Sequence, residues 1–514
     1  TLIDSRRVLE LPMNGRNVVA LAALLPGASE VSAPETFTGD RSGPTVSMSG
    51  SKGNQNALLL DGAPFNALFR NTGLNYPPPD ALQEVKVLTN SFSAEYGRHS
   101  GSVFNVVTKS GSNEVHGSAW EYLRNQKLNA RNFFAPSTKP QLIQNQFGAT
   151  GGGPILKNKL FVFGSYEGLR VRTGSLLTSA FPPTAAERAG DFSPRTIRDP
   201  LTGQPFANNR IPADRIDTVA RNVLSPDLVP FQNTPGGQLI VTSPHPQNNQ
   251  NYLLKLDLNL GKHTIDARYN HSLASEQDIV GNVPSYFPVE RTLTVDNVTI
   301  GDTFSVTPAF LNQVRFSLNR APAVITSLNR RNLADLGGNL PVFGPKLPPG
   351  ITVSGRLSMG SGSGGDQNWL NKTFQISDSI NWTKGRHAVK AGFELLKLNY
   401  SGLSTFLTNG TFSFTGTFTG NAAADFLLGK AESMQIASPL LDASGLQSNT
   451  QGFVQDDWRI HPRLTLNLGL RYELSVPWVH PRDYWGTLHP GVQSQKIKTA
   501  PIGMLFPGEP GVPR

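Results

Sequence analysis

The sequence predicts a mainly β protein: a small α/β module, then long antiparallel strands rolled into a membrane-crossing barrel. Three observations carry that expectation. From Val115 onward, stretches of about ten residues alternate apolar and polar side chains, which places the two kinds on opposite faces of a strand. The connections alternate between tight turns and very long segments, the layout of barrels with short turns at one end and long loops at the other. The polar rows carry full charges, among them Lys255, Asp257, Asp266, Arg268, Arg471 and Glu473.

The N-terminal module, residues 1–112, is read first. Val18 to Leu25 is an apolar stretch closed by Pro26 and Gly27, the pattern of a two-turn helix. The run from Pro44 to Asn56, then Ala57 to Leu60, then Asp61 and Gly62 reads as strand, turn, strand, turn. Val85 to Leu88 and Val103 to Val107 are further strands, separated by a turn over Gly97 to Gly101. Gly97, Gly101 and Gly111 are placed where the backbone turns and approaches a wall, because glycine permits close contact.

Residues 113–514 form the second part. In the stretch from Arg463 to Leu474, Leu464, Leu466, Leu468, Leu470, Tyr472 and Leu474 alternate with Arg463, Thr465, Asn467, Gly469, Arg471 and Glu473. Leu254, Leu256, Leu258 and Leu260 alternate with Lys255, Asp257 and Asn259 in the same way. Gly261-Lys262 turns that strand into Ile265, Ala267 and Tyr269, opposed by Thr264, Asp266, Arg268 and Asn270. Similar rows run through Val298 to Val306, Val314 to Leu318, Phe374 to Trp382 and Val389 to Leu395, roughly a dozen segments in all. Arg172 to Asn248 and Ala321 to Lys372 are long, polar connections rich in Pro, Gly and Asn. A soluble β-sandwich or solenoid is the competing fold, and composition alone favours it. The charged rows and the long connections weigh against it.

Composition narrows the function classes. The 514 residues contain 50 Gly and 39 Pro, too many for a helical bundle. No cysteine is present, which excludes disulfides, thiolate metal sites and cysteine nucleophiles. The net charge of +9 comes from scattered Lys and Arg, and nucleic-acid binders concentrate theirs on one face; no nucleic-acid partner is expected. No apolar run approaches the ~20 residues of a membrane helix, so a membrane-spanning fold has to be a closed barrel. Gly360 to Gly365 matches G-x-G-x-x-G but lacks the strand–helix context that gives it meaning. The nine His have no ligand spacing, and Asp456 and Asp457 point to opposite strand faces. No enzyme, metal site or cofactor is expected. The chain opens on Thr1 without a leader pattern and closes in loop-like sequence, so it is read as an internal piece of a longer protein.

The residues from Leu82 to Lys109 resemble the end of the plug domain of TonB-dependent outer-membrane receptors. There a hydrophobic-Glu-Val strand leads through Tyr-Gly to a Gly-rich segment and a strand ending in Thr-Lys. The matching positions are Glu84, Tyr96, Gly97, Gly101, Asn105, Thr108 and Lys109. Leu58 to Gly62 resembles the plug's Leu-Asp-Gly turn, with Asp61 and Gly62 as its signature. Val8 to Asn17 with Leu25 to Gly27 is similar to plugs of the Oar-like group. Further similar stretches follow in order, including Val115 to Asn125, Asn129 to Phe134, Phe161 to Gly168, Asp425 to Gly429 and Gln455 to Trp458.

The resemblance implies a plug (1–112), then part of a 22-stranded barrel (113–514), in the outer membrane of a Gram-negative bacterium. It implies a TonB energy-transducing complex engaged through a segment upstream of Thr1, outer-membrane lipid around the barrel, and a ligand that the sequence does not name. A carboxypeptidase-regulatory-like domain is expected upstream. It also implies that apical plug loops meet the ligand, which places Lys52, Asn54, Gln55 and Asn56 there. Arg463, Asn467, Arg471 and Glu473 are expected to face the lumen. Trp382, Trp458, Tyr472, Trp478, Tyr484 and Trp485 are candidates for interfacial girdles. Energised uptake is the leading function. The same scaffold used for adhesion, surface assembly or protein export is the alternative, and a soluble β-rich carbohydrate-binding protein is the third.

Overall fold

The structure is a computed structural model, and it describes all residues except 1, 12, 33–44, 49, 68–70, 90–91, 132–138, 140, 361–364, 438–440 and 513–514. The start of the strand read from Pro44, part of the Asn129 to Phe134 motif and most of the Gly360 to Gly365 loop lie outside the described residues.

The N-terminal module is a five-stranded sheet in the order Leu2–Asp4, Leu82–Leu88, Val103–Thr108, Ala57–Leu60, Ala63–Pro64. Ala57–Leu60 pairs parallel to Val103–Thr108, and the other neighbours are antiparallel. Alternation along Leu82–Leu88 buries Leu82, Val85 and Val87 and leaves Gln83 and Lys86 exposed. These residues join Leu60, Phe65, Leu74, Phe104 and Val106 in one apolar core. The segment expected as a two-turn helix is a 3-10 helix, Val18–Leu24. Its first turn is held by the Asn17 side chain, which accepts from the Val19 N–H at 3.0 Å.

Eleven long strands follow, each antiparallel to the next in chain order: His116–Asn125, Leu142–Leu156, Leu160–Ala180, Leu239–Leu260, His263–Ile279, Pro288–Thr307, Phe310–Ser327, Gln367–Lys384, His387–Ser404, Gly445–His461 and Leu464–Ser475. The first and last have one neighbour each among the described residues, so the sheet is an open trough around the N-terminal module. Leu239–Leu260 is 22 residues long, about twice what the hydrocarbon layer requires. These strands therefore extend well beyond the membrane at the long-loop end.

Burial on this sheet is inverted relative to a soluble fold. Leu254, Ile300, Phe316 and Leu318 are 49%, 47%, 38% and 43% exposed. Asn270, Asn297, Thr299 and Asn319, on the opposite face, are 0–1% exposed. A soluble sandwich turns its apolar rows inward; here they face outward, and the polar rows face the enclosed module. That arrangement fits lipid outside and a wet lumen inside.

Two expectations need correction. Arg463 is not on a strand: it is exposed in the turn between His461 and Leu464, where Pro462 has no N–H for the ladder. Trp478, Tyr484 and Trp485 also lie beyond the last long strand, with Tyr484 stacked on His480 at 4.8 Å. Trp382, Trp458 and Tyr472 do stand on the outward face, 40%, 36% and 70% exposed.

The long connections are not plain polar loops. They carry the helices Ala185–Arg188, Thr218–Val223 and Ala422–Leu427, and a four-stranded sheet of Leu357–Met359, Gly350–Val353, Thr411–Phe414 and Ser433–Gln435. Phe192, Ile197, Ile211, Val223, Tyr286, Phe287, Leu347, Phe414 and Phe426 build a single core across them. Thr184 and Glu187 form a capping box, and Glu187 is also clamped by Arg356 from another connection at 2.7 and 2.9 Å. The result is a folded cap at the long-loop end.

Candidate functional site: the plug–wall interface

The N-terminal module's apolar core continues onto the wall at Leu293, Val295, Ala321, Ala323, Trp369 and Tyr400, and the rest of the contact is mainly charged and polar, in three clusters and a cavity. The first is built on the Asp61 turn. The Asp61 carboxylate accepts from the Thr108 N–H and the Thr108 hydroxyl, both at 2.8 Å. Arg268 from the wall pairs with it and also donates to Asn297 and, at 2.9 Å, to Thr299. Lys255 reaches the Thr108 carbonyl at 3.5 Å. Burial opposes the charge on Asp61, but Arg268, Lys255 and the Thr108 hydrogen bonds outweigh it and hold the carboxyl below the usual carboxylate range. The next residue, Gly62, donates its N–H to Asn105 Oδ1 at 3.0 Å.

The second cluster joins Arg16 to Asp80 within the module and to Glu167 on the wall at 3.4 Å. Trp120 and Gln146 donate to the same Glu167 carboxylate at 3.2 and 3.1 Å. Arg16 also lies over the Tyr122 ring, 4.7 Å from its centroid, a cation–π contact.

The third cluster grips the segment from Ala94 to Arg98. Lys390 pairs with Glu95 at 2.5 Å. Arg471 donates to the carbonyls of Ala94 and Glu95 at 3.1 and 2.9 Å. Gln455 accepts from the Ala94 N–H, and Glu473 accepts from the Arg98 N–H at 3.0 Å. A Cβ on Gly97 would overlap the ends of the Arg471 and Glu473 side chains, which would have to shift to admit it. Gly111 is equally close to the wall, where a Cβ would stand 2.5 Å from the Val162 carbonyl.

The fourth feature is a polar cavity of about 140 Å³ between this segment and the wall, lined by His99, Asp266, Arg315, Gln375, Glu394 and Gln451 among others. Burial and then the Arg98 charge push the His99 imidazole down to about 3, so it is neutral at ordinary pH.

The sequence-predicted residues divide between these clusters and the interior of the module. Asp61, Thr108, Gly97, Arg471 and Glu473 stand at the interface. Gly101 serves the interior instead: its N–H donates to the Gln55 carbonyl at 2.9 Å. Asn56 is buried, and its Oδ1 accepts from the Ser102 N–H at 2.7 Å. Gln55 folds back onto the Lys52 N–H at 2.8 Å. Lys52 and Asn54 are exposed. Glu84 is half-buried in its strand, and the Lys109 N–H donates to the Ala81 carbonyl. Asn467 is exposed on the same strand face as Arg471. Ala57–Leu60 leads to Asp61, which meets Arg268 five residues from the hairpin end at His263; the turn 50–56 therefore lies toward the long-loop end.

Arg16, Glu95, Lys390 and Gln455 escaped the sequence reading as contact residues. The signal for Lys390 was membership of a polar row, and Gln455 stood in a stretch similar to the family without a role assigned to it. Among the described residues, no group of three or more His, Asp or Glu is placed to hold a metal ion.

Comparisons with known proteins agree with this architecture. A model of an outer membrane beta barrel domain matches residues 107–514, and one of the TonB-dependent receptor plug domain matches residues 9–103. The chain is 25% identical over 511 residues to the TonB-dependent transporter Oar of Myxococcus xanthus, covering 90% of this chain and 45% of that protein. It is 25% identical over 256 residues to a probable TonB-dependent siderophore receptor, PirA, of Acinetobacter baumannii, covering 45% and 32%. The chain thus spans less than half the length of these curated relatives. Among solved structures, the outer membrane transporter YddB of Escherichia coli aligns with a TM-score of 0.57 at 12% identity, covering 92% of this chain and 56% of that one. The ferric enterobactin receptor PfeA of Pseudomonas aeruginosa aligns at 0.54 and 12%, covering 93% and 58%. With plug and wall both matched in chain order, this outer-membrane chain belongs to the TonB-dependent receptor family.

Proposed function

We propose that the protein is an energised outer-membrane receptor and transporter. It takes up a ligand held between the cap and the plug, and a TonB complex moves the plug to let the ligand pass. The observation that carries this reading is the chemistry of the plug–wall interface. Away from the apolar patch on the wall, ion pairs and hydrogen bonds beside a polar cavity hold the plug, and water can replace each of those contacts as the plug shifts. An apolar seam of the same extent would expose its whole area to the wet lumen at every cycle. Lys52 and Asn54, exposed on the turn that lies toward the long-loop end, are the plug residues offered to the ligand. Asn56 and Gln55 shape that turn.

The test is accumulation of candidate ligands by cells carrying the full-length protein. Uptake that collapses when the proton-motive force is dissipated, and that is absent without TonB, supports the proposal. Surface retention unaffected by either treatment would transfer the protein to the adhesion or assembly class.

A further inference from the structure

The Asp61–Gly62 turn of the plug has a wall arginine on each side. Arg268 pairs with the Asp61 carboxylate. On the other side the Arg315 guanidinium lies against Gly62, where a Cβ would stand 2.6 Å from an Arg315 Nη atom. Arg315 has no ion pair and no hydrogen bond among the described residues, and its Nε is shut off from solvent without an acceptor. A half-buried guanidinium left in that state costs free energy unless it serves another arrangement of the same groups.

Strand register fixes the relation between the two arginines. Arg315 stands opposite Gly301, and Gly301 stands opposite Asp266. Asp266 is two residues nearer than Arg268 to the hairpin turn that precedes His263. Arg315 is therefore one rung closer to the short-turn end than Arg268, about 6–7 Å along a strand, and two strands over. Between them, Gly301 presents no side chain. Asp266 leans over that glycine, its Oδ1 2.6 Å from where a Cβ would be, yet makes no ion pair with Arg315 among the described residues. Gly62, Asp266 and Arg315 all line the polar cavity of about 140 Å³. The turn thus has free volume on the Arg315 side.

We infer that Arg315 is a second seat for Asp61, a positioning residue that receives the carboxylate when the plug is drawn toward the short-turn end. The inference rests on the reading that a TonB complex moves the plug. Leaving Arg268 with no receiver strands a buried carboxylate, a costly step in unseating the turn. With Arg315 one rung along, the charge passes from one guanidinium to the next, and either planar fork can hold a carboxylate through two N–H donors. Arg268 is not left bare by the transfer, because it keeps its hydrogen bonds to Asn297 and Thr299. Movement of the turn then proceeds between two paired states.

The experiment uses the full-length protein in detergent, without ligand or TonB, so its outcome is independent of whether uptake is energised. Arg268→Met removes the first seat and should send Asp61 to the second. Arg315→Lys supplies an amine that a carbodiimide joins to a carboxylate in contact with it. Expected in Arg268→Met/Arg315→Lys is an amide linking peptide 57–66 to peptide 310–327, read by mass spectrometry, with little or none in Arg315→Lys alone. Hydrogen exchange of 57–66 gives a second reading. Arg315→Met should accelerate it at least about tenfold more in the Arg268→Met background than in wild type, the coupling expected of groups that share a partner. The gel shift between boiled and unboiled samples confirms that each variant is folded, and the cross-link decides alone where the double Met variant fails to assemble. No amide in the double variant, equal amide with and without Arg268, or an equal effect of Arg315→Met in both backgrounds would each overturn the inference while leaving the uptake reading in place.

Discussion

Replacing Arg268 by Met should loosen the plug while leaving the wall intact. The Arg268 side chain is 1% exposed and its partner Asp61 is 11% exposed. The substitution fills similar volume but strands a buried carboxylate, and breaking a buried pair from one side costs about 3–5 kcal/mol. Two features of the site pull the value toward the lower end. Thr108 still donates two hydrogen bonds to Asp61, and Lys255 remains close enough to act on its charge. About 3 kcal/mol corresponds to a loss of roughly two orders of magnitude in local protection. Hydrogen exchange of the full-length protein in micelles reads this directly from peptides spanning 57–66 and 103–109, with wall peptides such as 310–327 as the internal reference. The companion variant, Asp61→Asn with Arg268→Met, should recover most of the protection, because the cost comes from the unpaired charge. Protection within a few-fold of wild type in the single variant, or a double variant as open as the single, would show that the pair does not seat the plug.

Other outcomes follow from the same geometry. Leu468→Arg puts a cation on the lipid face at a cost of about 2–4 kcal/mol at the midplane and should abolish membrane assembly. Asn467→Arg, on the lumenal face, should assemble at wild-type yield; equal yields of the two would refute the assigned orientation. Gly97→Val drives a side chain into Arg471 and Glu473, an overpacking cost of about 1–3 kcal/mol, visible as faster exchange across 92–101 with the rest of the plug unchanged. In the cap, Arg356 hydrogen bonds outweigh the burial of Glu187 and hold its carboxyl below 4.5. That contribution is complete above pH 4.5 and is lost as pH falls through the lower folded value. Glu187→Gln should therefore make the 181–238 segment more sensitive to proteolysis at pH 7, by about 1–3 kcal/mol of local stability, with the gap from wild type closing at low pH.

The wall was legible because strand alternation is a local property. The row from Leu254 to Leu260 and the row from Leu464 to Leu474 declare two faces without any knowledge of what each face meets. The plug was legible by resemblance, since Asp61, Gly97 and Thr108 sit in a recurring order. The partners of those residues were not legible. Arg268 and Asp61 are separated by 207 positions, and nothing local to either one names the other. The cap was missed for a related reason. Its core draws Phe192, Tyr286, Leu347 and Phe426 from four different connections, each one too sparse in apolar residues to read as an element alone. Arg463 was misplaced because the alternation starts in letters before the strand begins at Leu464; Pro462 was the sign of the break.

The two ends of the molecule are held by different physics, and this bears on which part moves. In the cap, apolar side chains from separate connections share one core, so displacing one connection exposes area contributed by the others. The opening cost is collective, and the cap is expected to shift as a unit. The plug has its own apolar core, continuous with a patch of the wall at Leu293, Val295, Ala321 and Trp369, and Ala81 packs on Phe163 and Leu253, while most of the rest of its contact is the polar clusters. A pull on the plug therefore meets a series of separable contacts, each replaceable by water. The Ala94 to Arg98 segment, beside the polar cavity and held by Lys390, Arg471 and Glu473, has free volume next to it and no apolar residue of the plug core within it. It is the place where a path along the wall opens at least cost. Cross-linking that segment to Gln455 through a pair of introduced cysteines, in a stretch of 514 residues that has none of its own, should stop transport while leaving ligand binding intact. Transport at the wild-type rate with the cross-link closed would require a path on the opposite side of the plug.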